Sequence, residues 1–318
     1  VSFDVQIAHG VEEIGQETWD HLSGDRPFTS YGWYRFGEKA AGYDMPTYVI
    51  LSHQGEPVAR ATFWLTSREL LPIPSKLVRY VLEAMLRRWP LLICQSPLSS
   101  AAATSGLILP DLPLRDLALQ TIADVAQELV RKNRVSFCLY SYLEEHETRW
   151  AGWPNHYLRG QTPGPGTRLN IIWPDFEGYL AHLGKKQRYN LRRNCRLASN
   201  LGIEVRCYPT VTDVDKALDL HRNVNRRHNS RTEPWMRGAM EHAHMVDAVW
   251  LTAEIGGRIV GCELMLSDKN AWLVTGLGLD YAVEYAYFLL GYADIRYAIE
   301  RGARLLRWGS LTYEVKER

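Results

Sequence analysis

The sequence predicts an α/β (α+β) fold written twice: two tandem halves, each a mixed, mostly antiparallel sheet flanked by helices. Three observations carry this expectation. Strand and helix periodicities run in the order β-α-α-β-β-β-α-β-α through the first half and again through the second. A turn falls at the same place in each run, Q-G-E-P-V-A (54–59) and G-G-R-I-V-G (256–261). A chain of 318 residues also sets a prior of two domains or one large one. The expected division is 1–183 and 184–318, the second half opening with a basic helix.

Residues 3–8 alternate apolar and polar and read as a strand. Val11–Leu22 reads as a short helix, and Phe28–Ala41 as a second one with Thr29 or Ser30 as candidate N-cap. Thr47–His53 and Val58–Thr66 form a predicted hairpin. Ser75–Trp89 is a basic amphipathic insertion with helical spacing, followed by a buried strand L-L-I-C (91–94). A small-residue loop (96–107) leads to a helix over Leu114–Lys132 and a strand over Val135–Tyr140. A short helix at Glu144–Trp150 and strands near His156–Arg159 and Arg168–Trp173 close the first half.

The order then begins again. Residues 203–208 read as a strand, Val211–His228 and Pro234–His244 as helices, and Asp247–Ile255 and Ile259–Ser267 as a hairpin. Ala271–Leu279 is a third strand, Tyr285–Arg301 a long helix, Ala303–Trp308 a strand, and Leu311 onward a helix.

At the seam lies G-K-K-Q-R-Y-N-L-R-R-N-C-R-L-A-S-N-L-G (184–202), which has no Asp or Glu. At roughly 100° per residue, Lys185, Arg188, Arg192 and Arg196 share one arc, with Lys186 and Arg193 at its edge. Leu191, Cys195, Ala198 and Leu201 take the opposite side. Surface helices usually mix signs to limit self-repulsion, so this one reads as a cationic binding face. Arg222, Arg226, Arg227 and Arg231 add to the cluster. Arg offers a planar fork that matches phosphate oxygens, which suits a nucleotide-linked sugar, the phosphates of CoA, or the acceptor end of a tRNA. A net charge of only +1 argues against a general duplex-binding protein and for a local phosphate ligand.

The apolar fraction of 46% and charged fraction of 23% are those of a folded, soluble chain. No run approaches the ~18 apolar residues of a membrane span and none reads as a signal peptide, so a cytoplasmic location is expected. The five cysteines are scattered without a CxxC and read as reduced core residues. His242 and His244 lack a third ligand at metal spacing, and no metal is expected. Glycine-rich phosphate loops are missing. Among eleven tryptophans, Trp33, Trp235 and Trp272 are candidates to line a cleft.

The element order resembles that of the GNAT acyltransferases, and two such halves in tandem resemble the FemAB-like, BioF2-like branch. Three stretches carry the likeness: G-K-K-Q-R-Y-N-L-R-R-N (184–194), residues 275–303 with T-G-L-G-L-D-Y, and W-G-S-L-T-Y-E-V-K-E-R (308–318). The first is similar to the family's K-K-x-R-x-x-x-R-R segment and the last to its G-x-x-x-Y-x-x-K ending. The resemblance implies an N-acyltransferase that holds no permanent cofactor. Its donor would be acyl-CoA or aminoacyl-tRNA and its acceptor an amine. It implies that Lys316 stabilises negative charge near the tetrahedral intermediate and that Tyr313 donates a proton. The sequence departs from the acetyl-CoA pattern at L-D-Y-A-V-E-Y-A-Y-F (279–288), where glycines that would hold a pyrophosphate are missing. There Asp280 and Glu284 are candidates for accepting the amine proton or holding its ammonium form; capping of the helix by Asp280 accounts for it equally. The substrate-binding set is Lys185, Arg188, Arg192, Arg193, Arg222, Arg226, Trp33 and Trp272. Two other readings stand beside the enzyme: a non-catalytic module binding a phosphorylated ligand or RNA, and an acetyl-CoA acetyltransferase with an atypical loop.

Overall fold

A computed structural model describes residues 2–42, 44–68, 76–135, 137–160 and 166–308. Contacts divide the chain into two compact units, Val1–Pro163 and Gly164–Arg318.

The first unit runs β1 (Asp4–Ala8), α1 (Gln16–Ser23), α2 (Tyr31–Ala40), β2 (Met45–His53), β3 (Glu56–Thr66) and α3 (Lys76–Leu86). It continues with β4 (Leu91–Cys94), α4 (Ser99–Ala102), β5 (Leu107–Ile108), α5 (Arg115–Asn133) and β6 (Cys138–Tyr140). The sheet order is β1-β2-β3-β4-β6, with β5 also on β3. Among the described residues of this sheet, β4 and β6 pair in parallel and the other pairs are antiparallel. The β2–β3 hairpin closes on Gln54 and Gly55, both at positive φ, which matches the strands' right-handed twist. Ser30 caps α2 by accepting the Trp33 amide.

Alternation sets two interiors. Val49, Leu51, Ala59, Ala61 and Phe63 pack with Leu119, Ile122, Ala126 and Leu129 of α5. The other face carries Tyr48, Arg60 and Thr62, all buried. Arg60 is 0% exposed, with its guanidinium 3.9 Å from the Trp19 ring and 5.0 Å from that of Tyr34. Its Nη2 donates to Thr29 O (2.8 Å) and Ser23 Oγ (2.9 Å), while Nε and Nη1 have no hydrogen-bond partner. Burial pulls the Arg60 guanidinium below its ordinary pKa.

Asp44, at the entry to β2, is also short of partners. One carboxylate oxygen is buried without a hydrogen bond, and burial pushes its pKa up to about 7. A raised folded-state value means the carboxyl contributes fully below its unfolded pKa, and this contribution is lost as pH rises through about 7. Asp44→Asn, which keeps the neutral shape, is expected to stabilise the protein by on the order of 2 kcal/mol at pH 8 and by nothing near pH 4. Denaturation at the two pH values checks this; an equal effect at both would show that the charge is not what the site resists.

The second unit runs β7 (Thr167–Asn170), α6 (Phe176–His182), α7 (Lys185–Asn200), β8 (Ile203–Tyr208), α8 (Val214–His228) and α9 (Met236–His242). It ends in β9 (Ala248–Ile255), β10 (Arg258–Asp268), β11 (Ala271–Leu279), α10 (Ala286–Glu300) and β12 (Leu305–Trp308). The sheet order is β7-β12-β11-β10-β9-β8, antiparallel except for β11 and β12. Leu191 and Ala198 of α7 share one core with Leu290, Ile295 and Ile299 of α10 and with Val249, Leu251 and Val274 of the sheet. Helix α8 packs against β11 on the other face.

Several details differ from the sequence reading. The strand expected to close the first half, β7, pairs instead with β12 in the second sheet, Leu306 opposite Leu169. Helix α6 was not expected; its signal is Asp175, whose carboxylate accepts the Gly178 amide at 2.7 Å. Residues 156–159 form no strand, and Glu147–Arg149 is a single 3-10 turn. The helix expected from Leu311 lies outside the described residues, as do Tyr313 and Lys316.

Candidate active site

The sheet of the second unit is irregular at two described places, between β9 and β10 at Ile259–Gly261 and between β10 and β11, and polar side chains gather at the second. Opposite β10, β11 pairs Thr275 with Leu264 and then Gly278 with Cys262. Two residues, Gly276 and Leu277, thus stand against Glu263 alone, which is a β-bulge. Gly276 takes φ +64°, a left-handed conformation that suits glycine. Two residues on, a Cβ at Gly278 would lie 2.7 Å from Leu220 Cβ and 2.9 Å from the His221 backbone N. Helix α8 is therefore seated directly on the strand.

That seating delivers side chains to the strand's carbonyls. His221 Nδ1 lies 2.9 Å from Leu277 O, so this nitrogen carries the proton and donates. Nε2 then faces the Glu233 carboxylate at 3.5 Å, outside hydrogen-bonding geometry. Asn223 Nδ2 donates to Leu279 O at 3.1 Å. Beyond the strand, Asp280 accepts the Ala282 amide (3.1 Å) and pairs with Arg258 (3.0 Å). The Ala282 hydrogen bond, then Arg258, hold its carboxyl below the usual range. Asp280 is thus an ionised turn-former, able to hold an ammonium group electrostatically. Glu284 is exposed. Arg227 lies over the Tyr281 ring at 4.5 Å.

The basic helix divides into two chemistries. Arg188 is half-buried and turns back: its Nη1 donates to Leu183 O (2.6 Å) and Ala181 O (2.9 Å) at the end of α6, with Leu180 O, which also accepts the Leu183 amide, at 3.4 Å. Lys185, Lys186, Arg192, Arg193 and Arg196 are exposed. Tyr189, 63% exposed, falls among them on the same arc. On α8, Arg222 pairs with Asp219, and Arg226 donates to Asn223 Oδ1 at 2.8 Å. Trp33 and Trp272 are buried in their units, Trp33 against Phe28 and Phe36 and Trp272 against Tyr297. Trp235 is buried too. Among the described residues no group of His, Cys, Asp or Glu has the arrangement of a metal site, and no helix is long and apolar enough to cross a membrane.

Sequence reasoning missed His221, Asn223 and Glu233. For His221 and Asn223 the signal was polar residues on a helix face otherwise filled by Leu218, Leu220 and Val224; Glu233 lies in the loop after α8 and carried no such signal. It also missed the bulge, which the two glycines of T-G-L-G-L inside a strand pattern announce.

No curated protein matches this chain by sequence. A sequence model described as "Acetyltransferase (GNAT) domain" matches residues 185–317. Among solved structures, the chain superposes on FemX with TM-score 0.59 and 10% identity, covering 98% of this chain and 92% of that one. A tandem GNAT protein from the clavulanic acid biosynthesis pathway gives 0.50 and 12%, covering 99% and 93%. The C-terminal domain of a putative lysylphosphatidylglycerol synthetase from Agrobacterium fabrum gives 0.50 and 12%, covering 95% and 79%. Residues 185–317 therefore match a GNAT acetyltransferase domain in sequence, and the chain as a whole has the fold of FemX and of the tandem-GNAT protein.

Proposed function

We propose that the protein is an N-acyltransferase that moves an acyl or aminoacyl group from an activated donor to an amine. The observation that carries this reading is the bulge at Gly276–Leu277, fixed by His221 from α8, in a strand whose other neighbour runs parallel. A bulge takes backbone groups out of the ladder, and acyl transfer needs fixed N–H donors where charge develops on the donor's carbonyl oxygen. The amine attacks that carbonyl carbon, a tetrahedral oxyanion forms, and the leaving oxygen or sulfur takes a proton as the bond to it breaks. Asp280 and Glu284 are proposed to hold the amine as it arrives and to take the proton its nitrogen loses as the amide forms. Lys316 is proposed to stabilise the oxyanion and Tyr313 to supply the leaving group's proton, both by resemblance alone. His221 and Glu233 are proposed as positioning residues.

Aminoacyl-tRNA is the donor we favour over acyl-CoA. From Lys185 to Arg196 the exposed cations span about 16 Å along the helix, longer than one pyrophosphate and suited to successive phosphates of a strand. Tyr189 among them offers a ring on which an unpaired base stacks. The similarity to a synthetase named for a lysyl product points the same way. The test is incubation with aminoacyl-tRNA or acyl-CoA and a panel of amines, with mass spectrometry for the amide. Binding of tRNA without amide from either donor would establish the non-catalytic module instead.

The two sets of arginines should separate in experiment. Arg192→Ala with Arg196→Ala should weaken tRNA binding on the order of tenfold and lower the salt slope by about two, with an unchanged melting temperature. Arg188→Ala should cost about 1–2 kcal/mol of stability because it leaves carbonyls of α6 without their donor. An unchanged salt slope in the double variant would return the face to ordinary solvated surface.

A further inference from the structure

Helix α3 presents an apolar stripe that is largely exposed. Val78, Val81, Met85 and Trp89 recur at helical spacing and are 48%, 48%, 45% and 49% exposed, and Tyr80 is 65% exposed. Leu86 ties the helix to Leu91 and Ile93 of β4. Among the described residues no other element packs extensively along it. Its turn into β4 is ordered, with the Trp89 and Arg88 amides both donating to Met85 O. Exposed Arg87 and Arg88 flank the stripe, and the sequence of the helix adds Lys76 and Arg79. Its one acid, Glu83, has interactions of its own. The whole chain is only +1, so this concentration of positive charge is local.

From this we infer that α3 is an interfacial anchor that lays the protein on an anionic lipid surface. An apolar stripe edged by arginines, with Trp and Tyr exposed, is the composition that enters the headgroup boundary. The apolar side chains sink among the acyl chains while the guanidinium groups meet lipid phosphates. Charge selects this occupant over a second copy of the chain. A second copy would bring a stripe edged by the same cations, with Glu83 as the one acid of its helix, and so would offer Arg87 and Arg88 few anions to meet.

The test is sedimentation of the full chain with vesicles of phosphatidylglycerol and phosphatidylcholine in about equal parts, and with phosphatidylcholine alone. Wild type should partition onto the anionic vesicles. Val81→Asp with Met85→Asp should lower the partition coefficient by about tenfold or more. Arg87→Gln with Arg88→Gln should lower it roughly thirtyfold on anionic vesicles and leave the weak binding to neutral ones unchanged. All four positions are exposed, so circular dichroism should be that of wild type. The inference is overturned by no partitioning of wild type, or by equal partitioning of wild type and both variants. It is equally overturned by a wild-type dimer in sedimentation velocity that the aspartate pair dissociates, which would make a second copy the occupant.

Discussion

Gly278→Val is expected to destabilise the second unit by about 3 kcal/mol, lowering its melting temperature by about 6–12 °C. The cause is steric and backbone-deep. The new Cβ would stand 2.9 Å from the His221 amide nitrogen and 3.0 Å from Cys262 Sγ, so α8 has to lift from β11. Lifting α8 breaks the His221–Leu277 and Asn223–Leu279 bonds together. If the proposed chemistry is right, turnover falls with stability even well below the melting point. Gly291→Ala is the control: nothing lies within 4 Å of its Cβ position in α10, and a gain approaching 1 kcal/mol is expected there. Calorimetry of both variants decides. An unaffected Gly278→Val protein would mean that the helix is not seated on the strand as described.

In the first unit the largest effect should come from Arg60, and its sign depends on what replaces it. Arg60→Ala leaves a large void under Trp19 and should cost about 4 kcal/mol. Arg60→Met should cost about 1 kcal/mol or less. It fills the same slot and removes a buried cation that has two unpaired nitrogens and no carboxylate partner. Nor does it strand the acceptor: Thr29 O keeps the Trp19 Nε1 donor at 3.0 Å and the Ser23 hydroxyl at 2.6 Å. Urea titration of the two variants compares them. A methionine variant as unstable as the alanine one would mean that the charge itself holds α1 and α2 on the sheet.

Local pattern was enough for most of the architecture. Alternation in 47–53 and 58–66, the apolar stripe of 114–132 and the paired turns at 54–59 and 256–261 were visible because each is a periodicity of adjacent residues. Which sheet a strand joins is decided by partners far along the chain, so β7 read as the end of one half and pairs within the other. The site was legible unevenly for the same reason. The cationic helix stands out as composition. That Arg188 serves α6 rather than solvent depends on where the preceding helix ends. His221 gains meaning only once α8 is laid on Leu277 O. Asp280 was legible as a turn residue or a charge, and its contacts with Ala282 and Arg258 give it both characters.

The extra residue at Gly276 also acts as a change of phase in the strand. Before it, Trp272 and Val274 point into the core shared with α10; after it, Leu279 does. Even-numbered positions hand over to odd ones within three residues. Deleting Gly276 would restore a regular ladder and at the same time turn Leu277 and Leu279 outward and push Gly278's neighbours apart. A second indel downstream would be needed to recover the alternation, and Asp280 follows too closely to leave room for one. Away from Gly276 and Gly278, such a strand tolerates point substitutions more readily than single-residue slips. Drift can therefore alter what this site binds far more easily than it can move the site along β11.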